Sequence, residues 1–98
     1  MCITLRPVPY EWEEWALQAL ADIQPYEVRQ VLEAKQRWPR PGADATGLRV
    51  LTVWARTRNG RPLIVAVHHV DGFTWKIIGA RDMSDAERAD FTRWEQTR

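Results

Sequence analysis

Apolar residues at Trp12, Trp15, Ala16, Ala19, Leu20 and Ile23 recur at spacings of three and four, the period of one face of an α-helix. Glu11, Glu13 and Glu14 fall in its first turn, where the helix macrodipole favours acids. Pro25 suits the first position of a second helix, whose apolar face is Val28, Val31 and Leu32, with Tyr26 and Lys35 at its edges. The pattern predicts a helical pair over residues 11–37. Trp38-Pro39-Arg40-Pro41-Gly42 ends it, because proline cannot continue a helix, and a polar loop is expected as far as Gly47.

At Leu48 the period changes. Residues 48–56 and 63–70 are rich in Val, Ile, Leu and Trp, and Asn59-Gly60 between them signals a two-residue type I′ hairpin. Asp71-Gly72 leads to a third strand over 73–80, so residues 48–80 are expected to form a three-stranded antiparallel meander. Ser84-Asp85-Ala86-Glu87 fits a capping box and opens a last helix over 85–96, which presents Phe91 and Trp94. The expected fold is α+β, in the order α-α-β-β-β-α. Residues 1–98 form one domain with an N-terminal arm over 1–10.

Two-residue turns would pair Arg56 with Leu63, Trp54 with Val65 and His69 with Thr74. Side-chain alternation then gives a core face of Leu51, Val53, Ala55, Ile64, Ala66, His68, Trp75 and Ile77. The opposite face carries Trp54, Arg56, His69, Thr74 and Lys76 among apolar residues. A Trp exposed among cations suits a nucleic acid or a protein partner; the bland reading is a face partly covered by the last helix and otherwise solvated. A slip of one residue would exchange the two sets.

Composition narrows the class. The chain has 98 residues, 45% of them hydrophobic, with six Trp. That is one domain with a thin core, since folding at this size buries only about 60–65% of the chain's surface. The apolar content excludes a disordered tail. Cys2 is the only cysteine, which excludes a disulfide scaffold. No run approaches the ~18 apolar residues of a membrane span. The first ten residues lack an apolar h-region, so no signal peptide and a soluble cytoplasmic chain are expected.

The net charge of +1 hides an uneven distribution: −4 over residues 1–28, +6 over 29–61 and −1 over 62–98. A basic middle suits phosphate, because Lys and Arg gain affinity by releasing condensed counterions. Arg outnumbers Lys twelve to two. That excess serves bidentate phosphate contacts, or reflects the codons of a GC-rich genome.

Most chemistries lack their parts. His68 and His69 are adjacent in a strand, so they point to opposite faces and cannot share a metal. No phosphate loop, dinucleotide fingerprint or G-x-S-x-G is present, and the one serine, Ser84, is used by the helix cap. No metal or cofactor is therefore expected. Phosphodiester cleavage by a 2′-hydroxyl needs only cations to stabilise charge and a group to move a proton. Arg81, Arg56 and Lys76 are candidate cations. His69, His68 and Glu87 are candidate proton carriers. Each also has a structural reading: a hydrogen-bonded core histidine for His68, a helix cap for Glu87, an ion pair with Asp85 or Glu87 for Arg81.

Lys76-Ile77-Ile78-Gly79-Ala80-Arg81, then Ser84, Glu87-Arg88 and Phe91, resembles the C-terminal signature of BrnT-type toxins. That signature runs from Arg or Lys through Ile-Ile-Ser-Ala-Arg to Ser or Thr, Glu-Arg and Tyr. The stretch from Arg56 to Leu63 is similar to that family's G-R-T-x-x-G-R-x-L hairpin, and Trp12 with the run from Ile23 to Val28 matches its opening more weakly. The resemblance implies a RelE-like fold and a metal-independent ribonuclease toxin, neutralised by a cognate antitoxin protein. Its partners would be RNA and that antitoxin, with no membrane, in a homo-oligomer or a toxin–antitoxin hetero-oligomer. Residue by residue, Arg56, Arg81, Glu87 and Arg88 match positions of interest in that family. Together with the sheet-face reading, the expected catalytic set is Arg81, Arg56, Glu87 and His69, with RNA contacts from Lys76, Arg58, Arg61, Arg88 and Trp54. Gly79 stands where the family often has Ser. Phe91 stands where it often has Tyr, which removes a phenolic hydroxyl.

Overall fold

In the computed structural model, which describes residues 10–43, 49–71 and 74–97, a five-stranded sheet forms the centre. The elements are β1 (Tyr10–Trp12), α1 (Glu14–Ala19), α2 (Pro25–Glu33), β2 (Trp38–Ala43), β3 (Arg49–Arg56), β4 (Pro62–Asp71), β5 (Thr74–Asp82) and α3 (Asp85–Gln96). The spatial order is β1-β5-β4-β3-β2. β1 runs parallel to β5 and every other pair is antiparallel. The expected RelE-like outline, two N-terminal helices and a three-stranded meander, is thus replaced by a mixed five-stranded sheet with helices on both faces. The arm over residues 1–9, the loop over 44–48, and Gly72 with Phe73 lie outside the described residues.

Two segments depart from their sequence reading for identifiable reasons. Tyr10-Glu11-Trp12 alternates apolar and polar, so it fits a strand as well as the start of a helix. It is recruited by β5, with Trp12 beside Ile77, and the Glu13 N–H extends the ladder to the Ile77 carbonyl at 3.1 Å. The first helix shrinks to six residues. Residues 38–43 form β2 despite Pro39 and Pro41. Proline is tolerated on an edge strand when its missing N–H faces away from the neighbour. Arg40, between the two prolines, lies opposite Thr52, and its carbonyl accepts from Thr52 Oγ1 at 2.6 Å.

The Asn59-Gly60 hairpin forms, but not as a two-residue turn. Gly60 alone has positive φ, at 89°, and no other type of residue among those described does. The Gly60 N–H donates to the Thr57 carbonyl and the Thr57 N–H to the Arg61 carbonyl, both at 2.9 Å. This is a three-residue loop closed by a left-handed glycine. Its extra residue pairs Arg56 with Pro62 and Trp54 with Ile64, so β4 presents the opposite face from the one expected.

One side of the sheet therefore carries Val53, Ala55, Leu63, Val65, Val67 and Ile77 against Ile23, Val28, Val31 and Leu32 of the helical pair. Leu63, Val65 and Val67 are fully buried, each contributing about 1.5–3 kcal/mol of apolar burial. On the other side Trp54 and Ile64 meet Met83 and Phe91, with Trp38 and Trp94 at the rim. Trp54 is buried beneath α3, which corrects the expectation of an exposed Trp. Its ring lies edge-on to Trp38 at 5.4 Å, and Trp38 stacks on Trp94 at 5.4 Å.

The last helix follows its sequence reading from end to end. Ser84 Oγ accepts from the Glu87 N–H at 3.2 Å, and Glu87 Oε1 accepts from the Ser84 N–H at 2.8 Å. The capping box satisfies two N–H groups that the first turn leaves without helical partners.

Candidate functional site

β4 directs Ile64, Ala66 and His68 to the α3 side of the sheet, and their partners on β5 are Arg81, Gly79 and Lys76. Ile78 is an extra residue in β5 at this point, a bulge that keeps both halves of the strand in line with β4. The helix α3 covers only part of this surface. It leans toward β2 through the Trp38–Trp94 stack and toward β3 through Arg56, leaving Ala66, His68, Lys76 and Gly79 half-exposed. Among the described residues, and apart from its chain neighbours, no atom lies within 4 Å of where a Cβ on Gly79 would stand. The result is a smooth strip floored by Ala66 and Gly79. Arg81 stands at one end and Lys76 with His68 at the other, about 13 Å apart at the rise of a β-strand.

At the first end, Arg81 Nη1 and Nη2 donate to both carboxylate oxygens of Glu87 at 2.6 Å. The Arg81 side chain is 59% exposed. The hydrogen bonds from Arg81, offset by partial burial and aided by the Ser84 N–H, hold the Glu87 carboxyl down at about 2. The same bonds raise the Arg81 guanidinium above its ordinary value. A carboxylate this weakly basic is an orienter of Arg81, not a proton acceptor at neutral pH. Arg88, the next residue of α3, pairs with Asp85.

At the second end three ionisable groups converge. Lys76 and His68 face each other across the strands, and Glu13 reaches over from the end of β1. Glu13 Oε1 lies 3.3 Å from Lys76 Nζ, and Glu13 Oε2 lies 3.8 Å from His68 Nε2. His68 Nε2 is sealed from solvent and has no hydrogen-bond partner among the described residues. Periodicity alone places Glu13 in a helical turn and His68 in the core, whereas Glu13 stands just past a strand and His68 on the α3 side. The alternation of Tyr10 and Trp12 with Glu11 and Glu13 was the signal that would have placed Glu13 on a strand edge.

The other candidate residues are distributed elsewhere. Arg56 spans to α3, donating to Glu95 at 3.0–3.2 Å and to Thr92 Oγ1 at 3.3 Å, over the Phe91 ring. Arg61 donates to Asp82 at 2.9 and 3.0 Å and to Glu27 at 3.2 Å, joining β5 to α2. The Arg61 hydrogen bond lowers the Asp82 carboxyl below its ordinary range. The Arg58 N–H donates to Gln30 Oε1 at 3.0 Å, on the helical-pair side. His69 lies against Trp75 at 5.1 Å, on the face opposite Arg81. Thus Arg81 and Glu87 come together, Lys76 shares their strip, and Arg56, Arg61, Trp54 and His69 do not join them.

Among the described residues no group of three or more His, Cys, Asp or Glu side chains is placed to hold a metal ion, and no helix is long and apolar enough to cross a membrane. No protein-family model and no curated protein matches the chain.

Proposed function

We propose that the protein is a metal-independent endoribonuclease of the BrnT-like toxin kind, acting in the cytoplasm and neutralised by a protein antitoxin. The observation that carries this reading is the strip between β4 and β5. An exposed guanidinium, an ammonium and an imidazole share one sheet face, over a floor of Ala66 and Gly79 that a polyanionic strand can lie on. Arg81 supplies two parallel donors to a phosphate oxygen pair once the phosphate displaces Glu87, which lysine cannot reproduce. The same residues carry the resemblance from Lys76 through Arg81 to Glu87.

The test is incubation of the purified protein with a mixed-sequence RNA in the presence of a chelator. Cleavage leaving 2′,3′-cyclic phosphate ends is expected, with loss on Arg81→Ala in a protein that still melts cooperatively. Intact RNA would overturn the reading. A second reading, a protein-binding module without catalysis, is favoured by a specific observation. Arg56, Arg61 and Arg81 are each engaged by a carboxylate, which leaves less of the basic charge for phosphate. Capture of the antitoxin with no effect on RNA would establish it.

A further inference from the structure

We propose that His68 is the proton-transfer group of this strip, that Lys76 is the cation touching the attacked phosphate, and that Glu13 is the positioning residue for both. The proposal rests on the RNA-cleavage reading and names the residues that would perform it.

A sealed imidazole nitrogen without a hydrogen bond is rare in a folded protein, and its presence asks for an explanation. His68 Nε2 is such a nitrogen, and the group it faces is a carboxylate 3.8 Å away, beyond hydrogen-bond reach. That carboxylate favours the tautomer with its proton on Nε2, which leaves the Nδ1 lone pair as the acceptor. The His68 side chain remains 21% exposed although Nε2 is sealed, so the ring is not closed off from a ligand. Glu13 is held in place from two directions. Its backbone N–H is bonded to the Ile77 carbonyl, and its other carboxylate oxygen meets Lys76. The groups facing His68 are therefore Glu13 from the β1 end and Lys76 across the ladder, with Glu11 paired beside Lys76. Neither Glu87, ionised and bound to Arg81, nor His69, on the other face, is placed for this task.

The step balances within the substrate. His68 takes the proton from the ribose 2′-oxygen as the O2′–P bond forms and the P–O5′ bond breaks. The departing 5′-oxygen receives a proton from the imidazolium, directly or through one water, and the ring ends neutral. Lys76 stabilises the charge that builds on the phosphate oxygens.

The experiment compares cleavage of a short RNA by the wild type and by His68→Gln, Lys76→Met, Glu13→Gln and His69→Gln, each checked by thermal melt. Loss of a general acid–base group typically slows a reaction about 10²–10⁴-fold. His68→Gln is expected to fall in that range and to lose the acid limb of the pH–rate profile. Glu13→Gln is expected to lower kcat with little change in KM, and Glu13→Asp to recover part of the loss. His69→Gln is expected to keep the wild-type rate. A wild type that cleaves beside a His68→Gln protein within threefold of it overturns this proposal and leaves the RNA-cleavage reading standing. A wild type that does not cleave RNA overturns both. Should His68→Gln not fold, the imidazole resonances of the wild type decide. The His68 signal shifting on addition of a 2′-deoxy oligonucleotide supports the site, and an unmoved signal overturns it.

Discussion

Phe91 stands where the signature that the chain resembles often has a tyrosine, so its replacement separates chemistry from packing. Its ring is fully buried, 5.5 Å from Trp94, with Trp54, Ile64 and Met83 around it and the Arg56 guanidinium 5.6 Å away. Phe91→Ala removes most of that contact and should cost about 3–5 kcal/mol. A domain of this size has only about 5–15 kcal/mol in total, so the variant loses a large share of its stability. At about 4–8 °C per kcal/mol, its melting temperature should fall by at least ~12 °C. Phe91→Tyr is the sharper perturbation. It keeps the ring and places a hydroxyl in a sealed apolar site, for about 1–3 kcal/mol and no gain in RNA cleavage. Urea and thermal melts, run beside an RNA-cleavage assay, measure both. A Phe91→Tyr protein as stable as the wild type and faster on RNA would refute the argument, because its hydroxyl would then have reached the site.

Further outcomes follow from the contacts around α3. Ser84→Ala removes one half of the capping box and should destabilise by about 0.5–2 kcal/mol in a denaturant melt. Arg56→Ala releases Glu95 and Thr92 and should cost about 1–3 kcal/mol, with loss of helical signal preceding loss of the sheet on heating. The Arg81–Glu87 pair contributes stability that is present above Glu87's unfolded value of 4.5 and is lost as pH falls through about 2. Because Arg81 is largely solvated, the contribution is about 1 kcal/mol; urea midpoints of wild type and Glu87→Gln should differ at pH 7 and converge near pH 2.

What the sequence disclosed depended on how local each determinant is. The start of α3 is written in four consecutive residues, Ser84 to Glu87, and Pro25 marks the start of α2, so both were legible. The partner of β1 lies more than sixty residues away, where no local period can register it. The prolines of β2 speak against a strand unless the edge position is already known. One hairpin residue decided the rest. The third loop residue before Arg61 reversed the faces of β4, moved His68 out of the expected core and put Trp54 with Ile64 under α3. Of the site, Lys76 and Arg81 were legible from the motif. The approach of Glu13 was not, because it depends on the parallel pairing of β1.

The alternation of β2 carries a consequence for how the protein meets others of its kind. Pro39 and Pro41 lie on the outermost strand of the sheet and have no backbone N–H to offer a neighbour. A visiting strand would find carbonyls there and two gaps where N–H groups belong, so it could zip only half a seam. Stacking of copies into a continuous ribbon is discouraged at that margin by the two prolines, with Arg40 standing between them. A partner strand added past β2 would therefore meet an edge with two backbone donors missing.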